Sequence, residues 1–402
     1  MTASPAGRAR HVGWVVLGWL VAACAPAWAG RAGVSVSPLP SDRQALENVF
    51  LGGGPEVRFV FSPSFPSRPA AAALPSPPSA PSAPELSFRG LSIAAYRFGA
   101  GGEAVLAAVI DQTQQTVRLA SPFFASPEVA EALVRAKRRG VDVRLLTEHG
   151  QVGQGEARTT EMQTVIFGGV TVRSLPGTGP SGALRGSFGL FDGQLLETGS
   201  LRLGEVPRAR DGMLFRDEPG TVAGFDAYWS WMWAQAKPLS GLPNPPQYEV
   251  PHEEPRASLR FKGQAWPAWA LPAQNAGEER LAAALELCRV SADLALPGLT
   301  PRLAEAAVRA AARGTAVRVV AAPGAKPELL WALVKAGVAV SLFPRGALRA
   351  QFAVLDGELA ESGSFEPDPD GPDGLGAAVF SAAPADLKGF AAEFAYLLNP
   401  SR

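Results

Sequence analysis

The residues with the clearest chemical pattern are two arginines, each opening a similar stretch: RGSFGLFDGQLLETGS from Arg185 to Ser200 and RAQFAVLDGELAESGS from Arg349 to Ser364. The stretches align without a gap, Asp192 on Asp356 and Ser200 on Ser364, at a spacing of 356 − 192 = 164 residues. A guanidinium group stays protonated at any working pH, so it is neither a nucleophile nor a general acid. It is a good bidentate partner for phosphate or carboxylate. Ser187 and Gln351, two residues further on, offer hydrogen bonds without charge. These types favour holding an anion over making or breaking bonds. Histidine offers the one alternative. His149 follows the strand-like VDVRLLTE and opens the loop HGQVGQGEAR, at the carboxyl end of a predicted parallel strand, where α/β sites lie. His252 falls in a Pro-rich segment and is expected to be exposed.

The elements that position these residues also occur twice. SPEVAEALVRAKRRGVDVRLL, residues 126–146, parallels TPRLAEAAVRAAARGTAVRVV, residues 300–320. In each, Ser or Thr caps the helix, Pro takes its first position, Gly follows its last turn, and a β-branched strand comes next. GEAVLAAVIDQTQQTVRLASP from Gly102 parallels GEERLAAALELCRVSADLALP from Gly277, and GGVTVRSLP parallels AGVAVSLFP. VRFVFSP at Val57 and SLRFKG at Ser258 are expected to be equivalent first strands. Strands and helices alternating at this rhythm predict an α/β fold: two tandem βαβ units with mostly parallel sheets flanked by helices. The expected boundaries are 55–237 for the first unit, with a Pro/Ala/Ser-rich insert at about 64–86, 238–256 for a linker, and 257–402 for the second unit.

Of 402 residues, 37 are Lys or Arg and 37 are Asp or Glu, so overall charge argues for neither a nucleic-acid nor a membrane partner. Any such contact needs a local patch. Residues 1–29 have the layout of an export signal, with Arg8 and Arg10, the apolar VGWVVLGWLVAA, and Ala27-Trp28-Ala29 as a cleavage site. Val21-Ala22-Ala23-Cys24 offers a lipoprotein route through Cys24 instead. An uncleaved anchor is the third possibility, and all three place the bulk of the chain outside the cytoplasm, in the periplasm, secreted or at the envelope. Beyond this segment Cys288 is the only cysteine, in the helical pattern AALELCRV, and is expected to be a core residue. With no Cys/His cluster and no Walker-type phosphate loop, neither a metal nor another cofactor is expected. FDAYWSWMWAQA, residues 225–236, is apolar nearly all round. It predicts a helix buried between packed units, with membrane contact as the alternative.

Asp-Gly followed by Gly-Ser, twice, each after the same βαβαβ series, resembles the phospholipase D superfamily and its signature H-x-K-x-x-x-x-D followed by G-S-x-N. The resemblance implies two halves packed about a pseudo-twofold axis, which would bring Arg185 and Arg349 together where that family binds phosphate. Carried over position by position, Asp192 and Asp356 match the family aspartate, and Gly199-Ser200 and Gly363-Ser364 match its Gly-Ser. Arg185 and Arg349 replace the histidines, Ser187 and Gln351 the lysines, and Arg202 and Glu366 the asparagines. In the family one imidazole attacks phosphorus and the other protonates the leaving oxygen, while lysines neutralise the nonbridging oxygens. The replacements predict an exported, catalytically inactive relative. It would bind a phosphate-bearing ligand, phospholipid or nucleic acid, through Arg185, Arg349, Ser200 and Ser364, or act as an interaction module at the envelope or a membrane surface. Two alternatives accompany this expectation. The arginines pair internally with Asp192, Asp356 or Glu366, or His149 supports an altered phosphodiesterase.

Overall fold

The computed structural model describes residues 83–150, 159–175, 183–204, 210–239, 257–271, 276–343, 348–363 and 375–399. The export segment with Cys24, the opening at Val57, most of the Pro-rich insert, His252, Ser364 and Glu366 lie outside the described residues. All described residues belong to one compact unit, Pro75–Arg402.

The first repeat runs β1 Glu85–Phe88, β2 Leu91–Ala94, β3 Tyr96–Phe98, α1 Gly102–Gln112, β4 Thr116–Ser121, α2 Pro127–Arg138 and β5 Asp142–Glu148. It continues with α3 Thr160–Phe167, β6 Thr171–Leu175, β7 Ser187–Phe191, β8 Leu195–Gly199, β9 Gly212–Arg216, α4 Pro219–Gln235 and β10 Lys237–Pro238. The second runs β11 Ala257–Phe261, β12 Gln264–Pro267, β13 Trp269–Ala270, α5 Ala276–Leu287, β14 Ser291–Leu296, α6 Pro301–Ala312 and β15 Ala316–Ala321. It ends with α7 Pro327–Lys335, β16 Ala339–Leu342, β17 Phe352–Leu355, β18 Leu359–Gly363, β19 Ala378–Ser381 and α8 Pro384–Leu398. The capping expectation holds in both copies: Ser126 Oγ accepts from Val129 N–H and Thr300 Oγ1 from Leu303 N–H. Gly140 and Gly314, past the helix ends, both have φ of 91°.

Each repeat builds one mixed sheet with the same strand order, β6-β5-β4-β7-β8-β9-β3 in the first and β16-β15-β14-β17-β18-β19-β13 in the second. Parallel pairing is confined to β4, β5 and β6 and to β14, β15 and β16. All other neighbours are antiparallel, because β7 and β17 enter from loops and lead into hairpins instead of crossover helices. Among the described residues the strand equivalent to β11 is β1: ELSFRG and SLRFKG form the same hairpin, with Arg89-Gly90 and Lys262-Gly263 at left-handed turn positions, while the stretch at Val57 lies outside them. Among the described residues the first repeat begins with β1, at the end of the span expected to be an insert.

Helices α1, α2 and α3 cover one core and α5, α6 and α7 its counterpart. The last helix of each repeat packs on residues from both repeats. On α4, Phe225, Tyr228, Trp229 and Met232 are buried together with Leu375, Ala377 and Val379 of the second repeat. This bears out the burial expected for the tryptophan-rich helix. Cationic side chains come to it from neighbouring strands: Arg118 lies over Trp229, and Arg144 and Arg173 lie over Trp233. Phe390 and Phe394 on α8 share a core with Tyr96 and Leu214 of the first repeat.

Two glycines make this exchange possible. A Cβ on Gly224 of α4 would lie 2.3 Å from the Trp269 ring, and one on Gly389 of α8 would lie 2.2 Å from the Tyr96 ring. Each repeat thus presses an aromatic side chain into a notch in the other's last helix. Gly389→Leu is expected to lower stability by roughly 1–3 kcal/mol through overpacking, read as a shifted midpoint in urea unfolding. A midpoint equal to the parent's would show that the notch is not tightly filled.

Candidate functional site

The Asp-Gly turns are built from the hydrogen bonds they organise. Asp192 (φ 54°) and Gly193 (φ 64°) both adopt left-handed backbone, as do Asp356 and Gly357, giving the tight turn between β7 and β8 and between β17 and β18. The Asp192 carboxylate accepts from the N–H groups of Gln114 (3.1 Å), Gln115 (2.7 Å) and Thr116 (3.0 Å), and pairs with Arg89 Nη2 at 2.9 Å. Asp356 does the same with Arg289 (2.9 Å), Val290 (2.8 Å) and Ser291 (2.8 Å), with Lys262 Nζ at 2.7 Å. Burial alone would raise both acids, but these donors outweigh it and hold both carboxyls below the usual range. Each aspartate pins its hairpin to the start of the sheet's central strand. Since β7 rises about 3.3 Å per residue, Asp192 and Arg185 sit on the order of 20 Å apart at opposite ends of it. The reading in which the arginines pair with Asp192 or Asp356 is therefore overturned: Arg89 and Lys262 hold those partners.

Gly199 and Ser200 also carry structure. A Cβ at Gly199 would fall 2.3 Å from the Gly212 carbonyl oxygen, and its φ of 146° disfavours any other residue. Ser200 N–H donates to Gly212 O at 2.8 Å, and Ser200 Oγ accepts from Gly212 N–H at 2.8 Å. This locks the end of β8 to the start of β9.

The arginines stand at the seam of the repeats. Arg185 N–H donates to Leu375 O at 2.8 Å, and Arg349 N–H to Arg210 O at 3.1 Å. Each segment leading into β7 or β17 thus pairs with the segment leading into the other repeat's β19 or β9, as a pseudo-twofold arrangement requires. Arg349 Nη1 lies 3.9 Å from Asp211 Oδ1 of the first repeat. The Arg185 charge acts on Glu148, whose Oε2 accepts a short hydrogen bond from Leu184 N–H at 2.5 Å. Burial still keeps the Glu148 carboxyl above its usual range. Ser187 and Gln351 are both buried, and neither the Nε2 nor the Oε1 atom of Gln351 has a hydrogen-bond partner. Arg202 is half-buried beside the end of β8. His149 is turned toward β6, with Nδ1 3.1 Å from Ser174 Oγ, and β6 lies three strands from β7.

Two further acids occupy equivalent positions, Glu197 on β8 and Glu361 on β18, both fully buried. Glu197 faces Gly189 across the β7–β8 ladder and Glu361 faces Ala353 across β17–β18, so a small neighbour leaves room for each carboxyl. Glu197 Oε1 and both Glu361 oxygens lack hydrogen-bond partners. Burial pushes Glu197 up to about 8, so it is protonated at neutral pH, and raises Glu361 well above its ordinary value. The signal was present in the repeated stretches, LLETGS and LAESGS, each with glutamate two residues before the glycine.

Residues 106–206, from α1 to just beyond β8, match the sequence model of a family described as cardiolipin synthase, PLD-like domain. That stretch of the first repeat is similar to the phospholipase D-like domain. Both repeats are covered by likenesses to solved structures. Phosphatidylserine synthase of Haemophilus influenzae Rd KW20 aligns with a TM-score of 0.57 and 11% identity over 76% of this chain and 86% of that one. Polyphosphate kinase of Porphyromonas gingivalis aligns with a TM-score of 0.52 and 12% identity over 74% of this chain, which spans only 48% of the kinase. At these identities the likeness is one of fold. No curated protein sequence matches. Within this phospholipase D-like fold, the aspartates and Gly-Ser pairs keep the hairpins in place, while the positions that carry the family's chemistry hold other side chains.

Proposed function

We propose that this exported phospholipase D-like protein is not a phosphodiesterase and that it binds a phosphate-bearing anion at the seam between its repeats, through Arg185 and Arg349. The observation that carries the reading is the placement of the two arginines. Both open the strand that bears the family signature, and both are anchored by backbone hydrogen bonds to the opposite repeat. A guanidinium there supplies charge and paired N–H donors for a phosphate but no route for proton or phosphoryl transfer. The phosphodiesterase reading through His149 is disfavoured because that ring is engaged on the β6 side of the sheet.

Thermal-shift titration against inorganic phosphate, a short oligonucleotide and an anionic phospholipid headgroup tests the proposal. Saturable stabilisation of about 2.7 kcal/mol at a hundred times Kd is expected for one class of ligand, with Arg185→Ala and Arg349→Ala each abolishing it. No shift with any ligand, or a shift that survives both substitutions, would overturn the reading. Hydrolysis of a phosphodiester that disappears in His149→Ala would restore the enzymatic one.

A further inference from the structure

The two repeats differ at the outer edge of their sheets. In the first, edge strand β6 is covered by β10, an antiparallel pair carrying Lys237 and Pro238. In the second, among the described residues, nothing pairs with the outer edge of β16. Natural proteins blunt open edges with charge, proline or a covering element. Here the edge reads AVSL, with no charge.

Helix α7, next to β16, is also unlike its counterpart. The exposed positions of α3 are Thr160, Gln163 and Thr164 before Phe167 at its end. On α7 only Leu333 is buried, while Trp331 is 60% exposed and Leu342 of β16, on the side α7 covers, is 47% exposed. The exposed positions Glu328, Trp331, Ala332 and Lys335 fall at helical spacing on one face. Their order is self-complementary. In two antiparallel copies of this helix related by a twofold axis between positions 331 and 332, Trp331 packs on Ala332 and Glu328 of each copy meets Lys335 of the other. Neither Glu328 nor Lys335 has an ion pair within its own chain among the described residues. An antiparallel pairing of two β16 edges would supply the cover that β10 gives β6.

We propose that the α7–β16 face binds a second copy of this chain in an isologous dimer, joining the two second-repeat sheets. The charge pattern favours this occupant, since a cationic and an anionic end at equal distances from the midpoint between Trp331 and Ala332 match their own inverted copy.

Sedimentation velocity on the full chain from below to above micromolar concentration tests it. A concentration-dependent species of twice the monomer mass is expected, and Trp331→Glu should weaken it at least about tenfold by placing a charge at the centre. Glu328→Lys and Lys335→Glu should each weaken it by about tenfold, and the double exchange should restore it to within about threefold of the parent, since the pairs then meet with reversed sign. All three substituted positions are exposed, so unchanged melting temperatures identify the losses as interfacial. A parent monomeric at every concentration, or a dimer insensitive to Trp331→Glu, would overturn the proposal. A double exchange that stays weak would overturn the antiparallel register.

Discussion

Asp192→Ala is expected to cost about 3–5 kcal/mol of stability, an effect as large as losing one partner of a buried ion pair. The side chain is fully buried and accepts from three successive backbone N–H groups and from Arg89. Removing it orphans these donors at the start of β4, the central strand of the sheet, and takes away a residue suited to left-handed backbone. Asp356→Ala should behave alike, with Lys262 in place of Arg89. Asn at either position keeps an acceptor and tolerates the turn, so it should lose only about 1–2 kcal/mol. Urea unfolding of the four variants reads this directly. A loss below about 1 kcal/mol in Asp192→Ala would show that the turn is held by its backbone alone.

The second large effect is on pH dependence. Glu197 titrates at about 8 in the folded chain against 4.5 as an ordinary carboxyl, because burial penalises its charged form. A folded value raised above the unfolded one means the native state binds the extra proton between the two. Its contribution is therefore fully present below 4.5 and is lost as pH rises through the folded value. Integrated over that interval at about 1.4 kcal/mol per pH unit, one such carboxyl costs about 5 kcal/mol of stability. Glu361 shifts in the same direction. Asp192 and Asp356 act oppositely: lowered from 3.8, they contribute above that value and lose the contribution as pH falls through their folded values. The protein should accordingly be most stable in mildly acidic solution, near pH 4–5, and weaken toward pH 8. Glu197→Gln, which cannot ionise, should gain several kcal/mol on the parent between pH 5 and 8, measured by chemical denaturation across that range. Parallel pH profiles for parent and variant would mean that water reaches the carboxyl.

Much of the fold was legible because it is written twice. Caps at Ser126 and Thr300, prolines at the first helical positions and glycines at 140 and 314 are local signals, and both copies form the elements they specify. The described strand that matches SLRFKG is ELSFRG, whose Arg-Gly turn corresponds to Lys-Gly, while the stretch at Val57 read as a first strand from its apolar alternation lies outside the described residues. The extent of parallel pairing also lay beyond the sequence. A strand entered from a loop can add in either direction, and only its hairpin partner decides which.

By itself the sequence determined that the family's nucleophile, acid and lysines are replaced, since protonation chemistry follows from residue type alone. It also determined the repeat and the α/β alternation, which depend on local propensity and hydrophobic period. The tertiary structure alone decided that Asp192 and Asp356 serve their turns instead of the arginines, and that Arg185 and Arg349 are anchored across the seam. It alone decided that Glu197 and Glu361 are buried without partners, and that α4 and α8 each receive an aromatic side chain from the other repeat. Charge state, burial and pairing are set by what lies within a few ångströms, and in this fold those neighbours come from elements as far as 65 and 289 residues away in the chain.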